Sequence, residues 1–208
     1  HRKNVKFRCS CYDGIPEIHN DPLRKRSDAG NLFFCAEIFR KRCYDWISKR
    51  LIRRFQYGEK TLYLICNAHL DPVWLWNMEE GISAALSTFH TAADFCENYD
   101  GFVFNHNEAL LYQWIEEYDL PLFERIQKLV KAGKWHIMGG WYLQPDCNMP
   151  SGESFVRQIR SGQEYFREKF GVTPKTAINF DPFGHSRGLV QILKKAGYHS
   201  YLFGRPSE

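Results

Sequence analysis

Leu62-Tyr63-Leu64-Ile65-Cys66-Asn67-Ala68-His69-Leu70-Asp71-Pro72-Val73-Trp74 decides how this chain is read. Residues 62–68 form an apolar run of strand character, as expected for a strand covered on both faces. The run ends in two potential metal ligands with one residue between them. Strand side chains alternate, so positions i and i+2 point to the same side. The His69 imidazole and the Asp71 carboxylate therefore leave the carboxyl end of the strand together. A second strand-like run, residues 176–180, ends in Asp181-Pro182-Phe183-Gly184-His185-Ser186. If both strands share one parallel sheet, Asp181 meets His69 and Asp71 at one rim. Two carboxylates and a histidine suit a divalent cation of the zinc type, with coordination left for a substrate.

Working outward, strand and helix patterns alternate. Strands are expected over residues 102–105, 135–139, 177–180 and 201–204. Helices are expected over 73–98, over 107–133 with a break near Leu120-Pro121, over 151–170 and over 188–196. Such alternation implies βα units and a parallel sheet with right-handed crossovers. Residues 1–30 carry Gly14, Pro16 and Pro22 and read as loop. Apolar residues at helical spacing between Phe34 and Phe55 predict one or two amphipathic helices. The expected organisation is an accessory segment, mostly helical, over residues 1–58 and a βα domain over residues 59–208.

The 208 residues are 44% hydrophobic and 25% charged, enough for a globular domain with a core. The net charge is +4. Its basic runs, such as Arg24-Lys25-Arg26, lack interleaved aromatics and read as solvated helix faces, so no nucleic-acid partner is expected. Seven cysteines at irregular spacings include no CxxC pair. Free thiols in a reducing compartment, and a cytoplasmic location, are the simpler account. No apolar run is long enough to span a membrane, and none is expected to be a partner. A homo-oligomer is left open.

Strand-end residues carry the expected chemistry, as in any parallel βα barrel. They are His69 and Asp71, then His106 and Glu108, then Trp141 and Asp146, then Asp181 and His185, then Arg205. Any one of them can be a turn brace; Asp-Pro is a common turn former. Their recurrence at strand after strand points to a site. Asp181 is the expected catalytic carboxylate. Trp74 is expected at a sugar face and Trp76 in the core. Arg205 is expected to pair with a carboxylate or with sugar hydroxyls. Glu108 and Asp146 read as hydrogen-bond braces, and His106, His136 and His199 as structural.

Together, His69-Leu70-Asp71-Pro72-Val73-Trp74, Gly139-Gly140-Trp141 with Asn148-Met149-Pro150-Ser151-Gly152-Glu153, and Asp181-Pro182-Phe183-Gly184-His185-Ser186 resemble the catalytic domain of glycoside hydrolase family 38. These are the retaining α-mannosidases; the Asn-x-Pro-Ser-Gly-Glu element resembles their cytosolic and bacterial branch. The resemblance covers residues 62 to 206. It implies an incomplete seven-stranded parallel βα barrel of the glycoside hydrolase and deacetylase type, preceded by the helical segment. It implies one divalent ion, zinc or alternatively cobalt, held by His69, Asp71 and Asp181. It makes Asp181 the nucleophile, with Asp71, Trp74 and Arg205 against an α-mannoside or a mannose-containing oligosaccharide. The general acid and a histidine ligand are expected downstream of Glu208, which makes this chain an amino-terminal part of such an enzyme, inactive alone. Two alternatives stand beside it. One is a metal-dependent carbohydrate deacetylase, which wants a His-x-x-x-His pair that the sequence lacks. The other is a non-catalytic carbohydrate-binding fragment.

Overall fold

Helix boundaries follow from local chemistry. Helix α1, Met78–Asn98, starts where the Asn77 side chain accepts from the Glu80 N–H at 3.0 Å. An Asx cap of this kind satisfies a donor that the helix leaves unpaired. Glu79 and Glu80 in the first turn oppose the helix dipole. Residues 73–77, expected as helix, form bends ahead of this cap. The computed structural model describes residues 65–204. The expected helices between residues 34 and 55, the start of the opening strand and Arg205 lie outside the described residues.

Strand β1, Phe104–Glu108, is buried at all five positions. It runs into α2, Ala109–Tyr118, and then α3, Leu120–Lys131. The expected break between these helices is built by Asp119, whose Oδ1 accepts from the Leu122 N–H at 3.0 Å, and by Pro121 in the first turn of α3. Proline there forfeits only an N–H that has no helical partner. Strand β2, Trp135–Trp141, leads to α4, Gly152–Phe170, which Ser151 caps. Then follow β3, Thr176–Asn179, α5, Gly188–Lys195, and β4, Ser200–Phe203.

The strands pair in parallel, β1 with β2 and β3 with β4, as two separate two-stranded sheets. Cys66 adds one parallel bridge to Phe104. This overturns the expected incomplete seven-stranded barrel: the described residues comprise five helices and two short sheets. The reason lies at the end of β2. The register against β1 shifts between His106 and Glu108. Gly139 and Gly140 then take φ of 72° and 81°, off the extended conformation a ladder needs. A Cβ on Gly139 would stand 2.4 Å from the Asn107 Cβ, so the close approach also requires glycine. Beyond this kink the link to β3 is a side-chain bond, Trp141 Nε1 to the Ile178 carbonyl at 2.7 Å.

Two apolar clusters hold these pieces. In the larger, α1 contributes Phe89 and α2 Tyr112, both packed on Trp135 of β2. The Trp135 indole N–H donates to the Tyr112 hydroxyl at 2.8 Å, which satisfies both buried polar groups. In the smaller, Trp141, Phe155, Ile159, Leu189 and Tyr198 join α4 and α5 to the end of β2. Each such side chain contributes about 1.5–3 kcal/mol by leaving water. Both clusters back the strand ends that carry the polar residues.

Candidate active site

His69 lies three residues past the Cys66 bridge, and the segment between is pinned by polar contacts. The Asn67 amide donates to the Asn105 carbonyl and side chain, at 3.0 and 2.9 Å. The His106 ring Nε2–H donates to the Ala68 carbonyl at 2.8 Å. Burial drives the His106 pKa down to about 3, against the raising effect of that bond, so the ring is neutral at ordinary pH. Past His69, the Trp76 indole donates to the Asp71 carbonyl at 3.2 Å. The start of α1 closes on the same turn: a Cβ on Gly81 would sit 1.9 Å from the Pro72 carbonyl oxygen.

His69 Nε2 stands 3.2 Å from Asp71 Oδ1. That approach lacks hydrogen-bond geometry, and this buried nitrogen has no hydrogen-bond partner among the described residues. Asp181, two residues past β3, brings its carboxylate to the same place. One ligand atom each of His69, Asp71 and Asp181 lies within 4.8 Å of the others. All three residues are partly exposed, so the cluster is open to solvent.

The donor set fits a divalent ion. One imidazole nitrogen and two carboxylate oxygens suit zinc, and the orphaned Nε2 is the kind of atom a metal satisfies. Tetrahedral zinc with bonds of about 2.1 Å sets its ligand atoms about 3.4 Å apart. The His69–Asp71 separation already matches that spacing.

Around the trio the polar residues divide. The Glu108 side chain is fully buried, and its carboxyl pKa is pushed up to about 7 by burial, opposed by the Gln144 N–H bond at 2.7 Å. Asp146 Oδ1 accepts from the Asn148 and Met149 N–H groups at 2.8 and 3.3 Å, which makes it a turn brace. His185 Nδ1 meets the Tyr201 hydroxyl at 3.1 Å. His136 and His199 are exposed. Trp74 is 66% exposed and packs edge-on to Trp76 at 5.5 Å. Phe183, 73% exposed two residues past Asp181, is a second aromatic at this rim that sequence reasoning did not weigh. Gln144 and Asn179 were also missed. Neither carries charge, and only the fold brings them to the site.

The segments after Cys66 and after β3 thus bring a His/Asp/Asp cluster together, with Trp74 and Phe183 exposed close by in sequence. Residues 59–207 match the family described as Glycosyl hydrolases family 38 N-terminal domain, and the chain belongs to that family. It is 30% identical over 162 residues to Alpha-mannosidase G of Dictyostelium discoideum, covering 77% of this chain and 15% of that protein. It is also 30% identical over 161 residues to Alpha-mannosidase 2C1 of Homo sapiens, covering 75% of this chain and 16% of that one. The structure superimposes on an alpha-mannosidase from Enterococcus faecalis with a TM-score of 0.61 at 24% identity, over 66% of this chain and 16% of that one. The chain thus spans about one sixth of the length of these relatives. No helix among the described residues is long and apolar enough to cross a membrane.

Proposed function

We propose that this chain supplies the metal-binding half-site and the nucleophile of an enzyme that hydrolyses terminal α-mannosides with retention. The meeting of His69, Asp71 and Asp181 carries the reading, in a chain whose relatives are named alpha-mannosidases. Residues 59–208 belong to the catalytic part and residues 1–58 to an accessory segment. When bound, a divalent ion, zinc before cobalt, adds positive charge that favours an ionised carboxylate beside it and attracts sugar hydroxyls.

The remaining chemistry belongs to the protein. Asp181 attacks the anomeric carbon and forms a glycosyl ester as the bond to the leaving oxygen breaks. Retention needs a second carboxyl about 5 Å away to protonate that oxygen and then to deprotonate the water that cleaves the ester. Glu108, fully buried with Oε1 held by Gln144, and Asp146, held in its own turn, are not assigned that part. Asp71 and Trp74 orient the sugar, Trp74 by offering its exposed face to C–H bonds. Arg205, beyond the described residues, supports the Asp181 carboxylate. The described cysteines Cys96 and Cys147 are buried thiols, which suits a reducing, cytoplasmic compartment.

A fluorinated mannosyl probe incubated with the intact protein, followed by peptide mapping, tests the assignment. The label is expected on Asp181, and Asp181→Ala is expected to lose roughly 10⁴-fold or more in turnover. A label on Glu108 or Asp146 would overturn the assignment.

A further inference from the structure

Gln144 holds three segments of the site at once. Its Oε1 accepts from the Phe180 N–H at 2.6 Å. Phe180 is the residue immediately before Asp181. Its Nε2 donates to Glu108 Oε1 at 2.7 Å. The same amino group packs on the Nδ1 edge of His69 at 3.4 Å. At that length the last contact is weak as a hydrogen bond, but it occupies one edge of the ring and leaves Nε2 to the carboxylates.

The segment that carries Gln144 is itself fixed. The Tyr142 N–H donates to the Gln158 carbonyl at 2.9 Å, and the Leu143 N–H to Gln158 Oε1 at 2.8 Å. The Tyr142 carbonyl accepts from the Leu110 N–H at 3.0 Å, and the Pro145 carbonyl accepts from Asn179 Nδ2 at 2.8 Å. Helices α2 and α4 and the end of β3 therefore all grip the loop on which Gln144 sits. A side chain on so constrained a base can set the position of what it touches.

We infer that Gln144 is a positioning residue: its amide pins the backbone that carries Asp181 to the Glu108 strand end and to the His69 ring. The metal consequence rests on the reading of the trio given above; the pinning itself does not. Groups that orient metal ligands from behind typically change metal affinity about 10- to 100-fold when removed. Gln144→Met keeps the length of the side chain and removes both hydrogen-bonding functions. Gln144→Glu keeps the acceptor for Phe180 and removes the donor to Glu108.

The test uses the intact protein and two readouts, hydrogen–deuterium exchange at the Phe180 amide and zinc affinity by competition with a chelating dye. Gln144→Met is expected to speed exchange at Phe180 about tenfold or more, the equivalent of one lost hydrogen bond. It is expected to weaken zinc about 10- to 100-fold. Gln144→Glu is expected to retain slow exchange at Phe180. Tyr165→Phe, which removes a bond to Glu116 of 2.9 Å elsewhere in the fold, is expected to leave both readouts unchanged. Unchanged Phe180 exchange in Gln144→Met overturns the inference. So does a Tyr165→Phe variant that weakens zinc equally, because the effect would then be loss of general stability. If the unaltered protein binds no zinc, the metal reading of the trio fails, and the Phe180 exchange alone decides the role of Gln144.

Discussion

At the scale of single residues, the convergence of His69, Asp71 and Asp181 was legible because His69 and Asp71 have strand-like spacing and Asp181 follows a second strand. Their convergence needed only two segments to end at the same place. Glu108 was legible as a brace; its raised pKa was not, because that depends on complete burial. The sign of its effect on stability can be worked out. The folded pKa of about 7 lies above the ordinary 4.5. Glu108 therefore favours the folded state below about pH 4.5, and this contribution is lost as the pH rises through about 7, on the order of 3 kcal/mol in all. His106 acts in the opposite sense: its depressed pKa of about 3 gives stability that is present above pH 6.5 and lost as the pH falls. Comparing chelator-treated wild type with Glu108→Gln isolates the first group, because His106 is common to both. Urea titrations at pH 5 and pH 8 are expected to show the variant gaining on the wild type at the higher pH. A difference between the two proteins that does not change with pH would contradict the burial argument.

At the scale of elements, the helices of the described residues were read within a few residues because caps and apolar spacing are local. Asn77, Asp119 and Ser151 each mark a start with a side-chain bond. Sheet closure was misread because it is not local. The apolar character of residues 176–180 reports the burial of Ala177 and Ile178, and burial by helices or by neighbouring strands looks the same in a sequence. The glycine pair after Met138 is a motif in the sequence, and its left-handed conformation coincides with the register shift before the Glu108–Trp141 pair. Gly81 makes a further test at this scale. Alanine is the better helix former by about 1 kcal/mol. Its Cβ, however, would lie 1.9 Å from the Pro72 carbonyl oxygen, a backbone atom that cannot rotate away. Overpacking of this kind costs about 1–3 kcal/mol, so steric conflict wins over propensity. Gly81→Ala is expected to lower the thermal midpoint and to weaken metal binding by moving the Asp71-Pro72 turn. An unchanged or higher midpoint would show that α1 can slide without cost.

At the scale of the whole molecule, the described residues form two small parallel sheets and five helices, and the segments after Cys66 and after β3 bring His69, Asp71 and Asp181 into one cluster. Two apolar cores fix the strand ends from behind, and the trio faces solvent with Trp74 and Phe183 exposed beside it. This division of labour explains why the family could be read from short motifs while the sheet arrangement could not. Motif residues are set by chemistry at one place, whereas strand pairing is set by contacts between segments far apart in the chain. The central claim is that His69, Asp71 and Asp181 jointly bind one divalent ion. Anomalous diffraction from crystals of the intact protein, recorded on both sides of the zinc absorption edge, tests it most directly. The expected result is a single strong peak about 2.0–2.2 Å from ligand atoms of all three residues, which disappears in Asp181→Ala. A zinc peak held by other residues, with these three side chains bonded only to protein, would contradict it.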